Sequence, residues 1–439
     1  MKIKFYGAAG EVGRSCILIE SANTRVLLDA GIKLGKPGQE QYPVIEDSEF
    51  KTIDAIVLSH AHLDHCGYLP HVFSTGFNGN IYTTKPTFEL VNVLLSDYLK
   101  ISNPKNVTKE GFNKVNKHYK IVDYDHEFAI KGLKFRLLPA GHVLGSSLVE
   151  VWDNKHRLLY TGDMSLKKTR LLEPAYTEDL HDDTLIIEST NAGEKDEIQD
   201  DQKTINSLLA SVKDTINRGG KVVIPSFAVG RAQEILFILD DYMRSGVIPK
   251  VPIYIDGMIG KAMRIYRHNV IFCRKELQQR ILMSEDDPFK SANFHNVTTK
   301  QMRNKIMNGH DTCIIVTTSG MISGGPILKY LEKLAGDAKN KLMFVGYQAD
   351  GTMGRQIMEG AKEIELNGRK VQIKMGVEMH RLSGHADRVQ LLRFVSKING
   401  LKDVFVVHGE GTKGKDMQET LSKKYKVQLP VLGEEYDLG

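Results

Sequence analysis

The length, composition and charge of the chain exclude several broad classes of protein. With 439 residues, 41% of them hydrophobic and 26% charged, it has the composition of a globular protein with two or three compact units, not that of a disordered chain. Its formal net charge of +5 permits a nucleic-acid partner without indicating one. Four separated cysteines, no apolar N-terminal stretch and no run of membrane-spanning length lead us to expect a cytoplasmic protein that does not enter a membrane.

Six short apolar runs in the first half of the chain predict β-strands bounded by turns. They cover residues 17–19, 26–28, 53–58, 135–138, 158–160 and 185–187. The last five are followed by the segments Asp-Ala-Gly, Ser-His-Ala-His-Leu-Asp-His, Pro-Ala-Gly-His, Thr-Gly-Asp and Glu-Ser-Thr. Because the loops that follow such strands converge on one edge of a sheet, we expect these ionisable side chains to gather there.

The middle of the chain has a different pattern. From about residue 194 to 368, longer helix-like segments such as 202–217 and 231–242 alternate with strands such as 222–225, which predicts an α/β domain of its own. The earlier pattern of strands ending in ionisable residues returns at 379–387 and 404–410. The sequence therefore predicts one catalytic domain, residues 1–193 and 369–439, interrupted by an inserted domain, residues 194–368.

The pattern H-x-H-x-D-H directly after the third apolar run is the strongest local signal. It consists of His60, His62, Asp64 and His65, and chance would produce it in roughly one in a thousand sequences of similar composition. A loop that leaves a strand can direct alternate side chains to different points, so the first pair could serve one metal and the second pair another. Imidazole and carboxylate ligands suit zinc better than the other first-row metals.

Other strand ends offer the remaining ligands of such a site. His142 and His408 supply further imidazoles, and Asp163 supplies a carboxylate that could bridge two metals. An isolated histidine after a strand is more often a hydrogen-bonded surface or core residue than a ligand. The hexapeptide reverses that preference, and we expect all three to be metal ligands.

These motifs resemble those of a known family. HAHLDH, AGH and TGD, together with GAAGEVGRSCILIE and LLDAG, are similar to the signature of metallo-β-lactamase-fold hydrolases. IIEST, SGHAD and VVHGE resemble the three extra motifs of the β-CASP nuclease branch, and the likeness covers nearly the whole chain. It is greatest to the KH-less archaeal and bacterial relatives of the nuclease subunit of the cleavage and polyadenylation specificity factor. The resemblance implies an α/β fold, a four-layer αββα sandwich with an inserted α/β β-CASP domain.

The resemblance also implies a metal content and a substrate. We expect two Zn²⁺ per chain, the first held by His60, His62 and His142, the second by Asp64, His65 and His408, with Asp163 as the bridge. Asp29 is expected to orient a ligating imidazole. A histidine at the position of His408 accompanies RNA-processing members of the branch, whereas DNA-repair members resemble them with valine there. RNA is therefore the expected partner, and a homodimer is expected because similar proteins commonly form one.

A mechanism follows as a hypothesis. Two divalent cations can share and activate a water molecule for attack on phosphorus, and Asp64 could also accept the proton of that water. His385 is the expected general acid for the leaving oxygen, with Glu188 keeping it protonated and oriented. The alternative for Glu188 is a strand-end carboxylate that caps the following turn.

The RNA backbone also needs a binding site. Candidate phosphate-binding residues, in glycine-rich turns and near a predicted helix start, are Ser226, Arg231, Ser319, Gly320, Ser323 and Arg355. Glycine-rich segments are also common as simple turns, and the opening GAAGEVGRS is best explained as a tight turn under the metal site. The basic segment 413–426 is a solvated helix face in the simplest interpretation, and a second RNA contact in the other.

The expected activity is therefore that of a zinc-dependent ribonuclease that cuts mainly as an endonuclease, with 5′ to 3′ exonuclease activity left open. Two alternatives are a small-molecule thioester or lactone hydrolase of the same fold and a catalytically inactive RNA-binding scaffold. The long insertion argues against the first, because a small substrate needs no second domain. The complete set of expected ligands argues against the second.

Overall fold

The chain forms two compact units. The structure is a computed structural model that describes residues 1–21, 23–35, 38–102, 104, 107–196, 201–284 and 286–439. The first unit comprises Met1–Lys168, Leu172–Ile198 and Gly384–Gly439, and the second comprises Thr169–Leu171 and Gln199–Ser383. The second unit thus ends at Ser383, whereas the sequence predicted a boundary at residue 368.

Strands supply the framework of both units. The first unit begins with β1 (Lys2–Phe5), β2 (Ile17–Ser21), β3 (Thr24–Leu28), β4 (Ala55–Val57), β5 (Asn80–Thr83), β6 (Tyr119–Ile121), β7 (Glu127–Ile130), β8 (Leu133–Pro139), β9 (Ser147–Trp152), β10 (Arg157–Tyr160) and β11 (Thr184–Glu188). The second unit contains β12 (Val222–Pro225), β13 (Ile253–Asp256), β14 (Phe294–Asn296), β15 (Ile314–Thr317), β16 (Lys341–Phe344), β17 (Glu363–Leu366), β18 (Arg369–Gln372) and β19 (Gly376–Met379). The chain returns to the first unit for β20 (Asp403–Val407), β21 (Lys426–Gln428) and β22 (Glu435–Asp437).

The α-helices are distributed over both units. The first unit has α1 (Leu63–Cys66), α2 (Leu69–Ser74), α3 (Lys85–Ser102) and α4 (Lys109–Val115). The second has α5 (Asp201–Asn217), α6 (Arg231–Arg244), α7 (Ile259–His268), α8 (Lys275–Met283), α9 (Lys300–Asn308), α10 (Ile327–Leu334) and α11 (Met353–Met358). The first unit ends with α12 (Arg388–Ser396) and α13 (Lys413–Leu421). Within these described ranges no helix combines the length and the apolar character that crossing a membrane requires.

The first unit is a sandwich of two seven-stranded sheets with helices on the outside. The sheet orders are β22-β1-β2-β3-β4-β5-β6 and β21-β20-β11-β10-β9-β8-β7. A buried core lies between the sheets, where the rings of Phe5 and Phe405 are 5.4 Å apart. A second core packs α12 and α13 on the other face of the second sheet, through residues such as Phe394 and Met417. On the first sheet, Phe88 of α3 packs against Tyr119 of β6. These are the four layers of the αββα sandwich that the resemblance implies.

Strand direction explains why ionisable residues gather at one edge of this unit. In the first sheet β3, β4 and β5 are parallel neighbours, and in the second β10, β11 and β20 are parallel neighbours. The strand β8 runs antiparallel to β9, which runs antiparallel to β10, so β8 points the same way as β10. In the first sheet, the segments that follow β3 and β4 therefore leave from the same edge. In the second sheet, the segments that follow β8, β10, β11 and β20 likewise share one edge. These segments carry the predicted ligands.

The second unit is the α/β insertion. Its six-stranded sheet has the order β14-β13-β15-β12-β16-β19, with every neighbouring pair parallel, and β17 and β18 form a separate antiparallel pair. The helix α10 buries Ile327, Tyr330, Leu331 and Leu334, a helical spacing that directs one apolar face to the core. The pairing of β19 with β16 places residues 376–379 in this unit, which explains its extension beyond residue 368.

A buried acidic pair in the first unit should make stability depend on pH. Asp182 is 1% exposed, and its two carboxylate oxygens have no hydrogen-bond partner among the described residues. Glu150 is fully buried and accepts a bond from Nε of Arg136 at 2.6 Å. Burial first, and then the negative charge of Glu150, raise the pKa of Asp182 to about 7. Because the folded state holds this proton more tightly than the unfolded chain, stability decreases as the pH rises from about 4 through 7.

Replacing Asp182 with asparagine is expected to remove this pH dependence. Raising the pKa from 3.8 to about 7 corresponds to at most about 4 kcal/mol, so Asp182→Asn should be close to wild type at pH 4.5 and more stable at pH 8.5. Trp152, the single tryptophan, lies on β9 with the guanidinium of Arg157 4.5 Å from its ring, so its fluorescence in a urea titration reports on this unit. A stability difference that stays constant between the two pH values would contradict the expectation.

Candidate metal centre

Seven side chains converge at the edge of the first unit. His60, His62, His142 and Asp163 form one group of potential metal ligands, and Asp64, His65, His408 and Asp163 form a second. Within each group the ligand atoms lie within 4.8 Å of one another, and Asp163 belongs to both. The structure thus brings together all seven residues that the sequence singled out as ligands.

The local fold explains how the hexapeptide reaches two groups. His60 and His62 follow β4 in an extended segment, and His62 is the N-cap of α1. The first turn of α1 contains Asp64 and its last turn contains His65, so these two side chains leave the backbone from a helix. The change from extended to helical backbone between His62 and Asp64 separates the two pairs.

The glycine-rich N-terminal segment forms backbone hydrogen bonds with two of the predicted ligand residues. The amide of His408 donates to the carbonyl of Ala8 at 2.8 Å, and the amide of Ser15 donates to the carbonyl of Asp64 at 2.9 Å. A Cβ on Gly7 would lie 1.7 Å from the carbonyl oxygen of Arg14, so this tight turn requires glycine. His408 itself has φ of 52°, a left-handed conformation that non-glycine residues adopt only when the surroundings enforce it.

The donor set fits a metal. Nε2 of His60, Nε2 of His62, Oδ1 of Asp163 and Nε2 of His408 are buried, and none has a hydrogen-bond partner in the part of the chain that the structure describes. Leaving a buried polar atom unpaired is costly. The nitrogen–oxygen distances between the ligands, such as 3.6 Å from His60 to Asp163 and 3.5 Å from His408 to Asp64, permit electrostatic attraction without hydrogen-bond geometry. Divalent cations among these atoms would satisfy all four.

Burial and neighbouring charges favour the protonation states that a metal needs at His60, His142 and Asp163, but not at His65 and His408. Burial first, and then neighbouring imidazoles, hold the pKa of His60 and His142 well below the ordinary value, which favours the neutral form. Burial raises the pKa of Asp163, but His408, His65 and His385 outweigh it and bring the pKa well below the usual range. Neutral imidazoles and an ionised carboxylate are the forms that coordinate metal ions. Burial lowers the pKa of His65 and His408, but Asp163 and the neighbouring carboxylates outweigh it and raise the pKa of both, so a metal ion would have to displace a proton from each.

Hydrogen bonds orient the ligating rings. Nδ1 of His142 lies 2.9 Å from the carbonyl of Gly384, and Nδ1 of His65 lies 2.7 Å from Oδ2 of Asp29. Asp29 also contacts Ser59 and Tyr160, two residues that the sequence analysis did not identify. Ser59 directly precedes the hexapeptide and Tyr160 precedes the Thr-Gly-Asp segment, but in the sequence each has the character of an ordinary strand-end residue.

Glu188 and His385 form a pair beside the metal ligands. Nδ1 of His385 lies 3.1 Å from both carboxylate oxygens of Glu188, and the imidazole ring centroid lies 4.6 Å from that of His142. Glu188 is fully buried and also accepts a bond from the amide of Met164 at 2.8 Å, whereas the His385 side chain is 23% exposed. Met164 lies in the segment after β10 and not in the turn that follows β11, so this bond is not the turn cap of the alternative interpretation. Burial lowers the pKa of His385, but the charges of Glu188 and Asp163 outweigh it and raise the pKa to about 9.

Four of the predicted phosphate-binding residues lie at the carboxyl ends of two neighbouring strands of the second unit. Ser226 follows β12, and Ser319, Gly320 and Ser323 follow β15. From β12 the chain passes through α6 toward β13, and from β15 it passes through α10 toward β16, in opposite directions across the sheet. Such a topological switch point is where open α/β sheets bind ligands.

The local geometry at this switch point leaves two polar atoms unpaired. Oγ of Ser226 and Oε1 of Gln348 are buried without a hydrogen-bond partner among the described residues. A Cβ on Gly320 would lie 2.8 Å from the amide nitrogen of Phe227, so this close approach requires glycine. Oγ of Ser319 accepts a bond from the amide of Ser323 at 3.0 Å. Polar side chains and closely packed backbone therefore surround the carboxyl ends of β12 and β15.

The two predicted arginines occupy different surroundings. Arg231 is the first residue of α6, and burial lowers the pKa of its guanidinium. Arg355 lies in α11, where Nε donates to Glu359 at 2.6 Å. In the basic segment 413–426, α13 buries Met417 and Leu421 and is therefore an amphipathic helix that packs on the fold.

Comparisons with known proteins agree with this architecture. The chain matches the metallo-β-lactamase superfamily over residues 9–205, the Beta-Casp domain over residues 232–357 and the Zn-dependent metallo-hydrolase RNA specificity domain over residues 370–431. It is similar over 99% of its length to a crystal structure of a protein of unknown function from Enterococcus faecalis V583, with a TM-score of 0.61, 14% identity and 99% of that chain covered. That likeness concerns the fold.

Archaeal relatives are similar over nearly the whole chain. Transcription termination factor FttA of Methanocaldococcus jannaschii is 37% identical over 98% of this chain and 70% of its own length. The proteins of the same name from Methanococcus maripaludis and Lokiarchaeum sp. are 38% and 37% identical, each over 97% of this chain and 69% of their own length. The chain therefore belongs to the β-CASP branch of the metallo-β-lactamase superfamily, the family that contains these archaeal proteins.

Proposed function

We propose that this protein is a zinc-dependent ribonuclease that hydrolyses phosphodiester bonds in RNA, mainly as an endonuclease. The observation that carries the proposal is the pair of four-donor groups that share Asp163. The matched RNA specificity domain and the termination-factor names of the archaeal relatives support RNA as the substrate.

The ligand assignment follows the two groups. His60, His62 and His142 would hold one Zn²⁺, Asp64, His65 and His408 would hold the other, and Asp163 belongs to both groups. When bound, two such ions polarise a phosphoryl group and make a nearby water molecule more acidic. Burial raises the pKa of Asp64, but His408 and His65 bring it below the ordinary value. Asp64 is therefore ionised and able to accept a proton from the attacking water.

The leaving oxygen requires a proton, and His385 is the group to donate it. Its Nδ1 is engaged by Glu188 at 3.1 Å, so Nε2 carries the proton that is transferred. With a pKa raised to about 9, the imidazole is protonated at neutral pH. Its side chain is 23% exposed, which lets it reach a bound substrate. Glu188 balances the positive charge without being consumed.

The second unit supplies contacts to the RNA backbone. The turn after β15 and the start of α6 offer backbone amides and the guanidinium of Arg231 to a phosphate. The unpaired Oγ of Ser226 can donate a further hydrogen bond. These groups recognise phosphate and not a base, so they fit an enzyme that accepts many sequences.

The proposal is tested with purified protein and three RNAs of one sequence: circular, linear with a 5′-hydroxyl and linear with a 5′-monophosphate. We expect zinc-dependent cleavage of all three, including the circular RNA, which an exonuclease cannot attack. Chelator should abolish the reaction and added Zn²⁺ should restore it. Binding of RNA without cleavage would favour the inactive scaffold, and hydrolysis of a thioester or lactone in place of RNA would favour the small-molecule hydrolase.

A further inference from the structure

Tyr160 connects the two sheets of the first unit next to the metal ligands. It is the last residue of β10, three positions before Asp163, and its ring is 2% exposed in the core between the sheets. Its hydroxyl donates to Oδ2 of Asp29 at 2.8 Å. Asp29 follows β3 of the opposite sheet. This hydrogen bond therefore links the strand that leads to Asp163 with the residue that orients His65.

The Asp29 carboxylate has three contacts besides the one with Tyr160. Its Oδ1 accepts from the amide of Ser59 at 2.7 Å, and its Oδ2 accepts from Oγ of Ser59 at 2.7 Å and lies 2.7 Å from Nδ1 of His65. The residue is fully buried and has φ of 61°, so its position is fixed by its surroundings. The Tyr160 hydroxyl is the fourth contact, and it reaches Oδ2 from a strand of the other sheet. A bond from that direction opposes rotation of the carboxylate away from His65.

The direction of the Asp29 carboxylate determines which nitrogen of His65 faces the cluster. With Nδ1 bonded to Asp29, Nε2 of His65 lies 3.4 Å from Oδ1 of Asp163, on the side that the second metal group shares. A carboxylate partner fixes both the tautomer and the ring plane of a ligating histidine. On the other side, Nδ1 of His142 is held by the carbonyl of Gly384 and Nδ1 of His60 lies 3.1 Å from Oγ of Ser59, so Asp29 contacts neither ring directly.

We propose that Tyr160 is a positioning residue for one of the two metal ions, the one held by Asp64, His65 and His408. It acts by fixing Asp29 and, through Asp29, the ring of His65. The inference rests on the proposed metal centre and adds a selective effect to it. Loss of the Tyr160 hydroxyl weakens the binding of one ion, and the ion held by His60, His62 and His142 keeps its affinity.

The test compares two tyrosine variants that lose the same kind of bond. In Tyr160→Phe the hydroxyl bonded to Asp29 is removed. In Tyr330→Phe, the control, a hydroxyl that donates to Oδ2 of the buried Asp256 at 2.9 Å is removed from the second unit. Zinc affinity is measured by titration against a chromophoric chelator, and the unfolding temperature is measured in excess chelator, so that metal binding and fold stability are read separately.

We expect wild type and Tyr330→Phe to bind two equivalents of zinc with the same pair of affinities. Losing the direct partner of a ligating residue, here Asp29, usually costs about 10- to 100-fold in metal affinity. Because Tyr160 acts through Asp29, Tyr160→Phe should bind one equivalent up to about 10-fold more weakly, and the other within twofold of wild type. Unchanged affinity for both equivalents, or equal weakening of both, would overturn the role of Tyr160 while leaving the metal centre intact. A wild-type protein that binds no zinc would overturn the metal centre and this inference together.

Discussion

Replacing Asp163 with asparagine is expected to abolish cleavage, because it removes the one carboxylate that the two ligand groups share. Metal ions acting as Lewis acids contribute several kcal/mol to such reactions, which corresponds to a loss of at least about 1,000-fold in kcat. The substitution keeps the shape of the side chain but removes the charge that His65 and His408 face at 3.4 and 3.3 Å. Affinity for zinc should fall by more than about 100-fold, because even the loss of an outer partner costs about 10- to 100-fold.

A matched control separates this effect from a general loss of folding. Asp182→Asn makes the same chemical change in the same unit, at a residue that is 1% exposed compared with 2% for Asp163. It should retain both the zinc content, measured by mass spectrometry of the dialysed protein, and the cleavage rate. If the Asp163→Asn variant cleaved RNA at the wild-type rate, the assignment of Asp163 as the shared ligand would be contradicted.

Replacing His385 with alanine is expected to lower kcat by about 100- to 10,000-fold, the usual contribution of a general acid, and to leave the zinc content unchanged. Its Nδ1 is held by Glu188, and no predicted ligand is removed. Because a general acid must be protonated, the wild-type rate should decrease as the pH rises through about 9. Glu188→Gln removes the negative charge that raises the pKa of His385, so the alkaline decrease should move to lower pH.

The control for this prediction is a second histidine–carboxylate pair in the first unit. Nε2 of His71 lies 2.8 Å from Oδ1 of Asp47, outside the metal cluster. His71→Ala should affect stability without changing the pH profile of cleavage. If His385→Ala retained the wild-type rate across the pH range, the leaving oxygen would obtain its proton elsewhere and the acid assignment would fail.

The parts of the fold that depend on local sequence were predictable. The six apolar runs coincide with or overlap β2, β3, β4, β8, β10 and β11, and the ionisable residues after them meet at one edge. Sequence patterns sufficed there because strand direction alone brings these ends together.

Features that depend on long-range packing were not predictable. The strand β19, residues 376–379, has a weak apolar pattern, and only its pairing with β16 assigns it to the second unit. Likewise, Tyr160 has the apolar character of any buried strand residue in the sequence. Its hydroxyl acquires a role only because the other sheet places Asp29 at 2.8 Å.

The central claim is that seven side chains from distant parts of the chain enclose two metal ions. Anomalous X-ray diffraction above the zinc absorption edge, on crystals grown with Zn²⁺, measures this directly. Two anomalous peaks per chain are expected, one among His60, His62 and His142 and one among Asp64, His65 and His408, both in contact with Asp163. Zinc peaks elsewhere on the protein, with none inside the cluster, would contradict it.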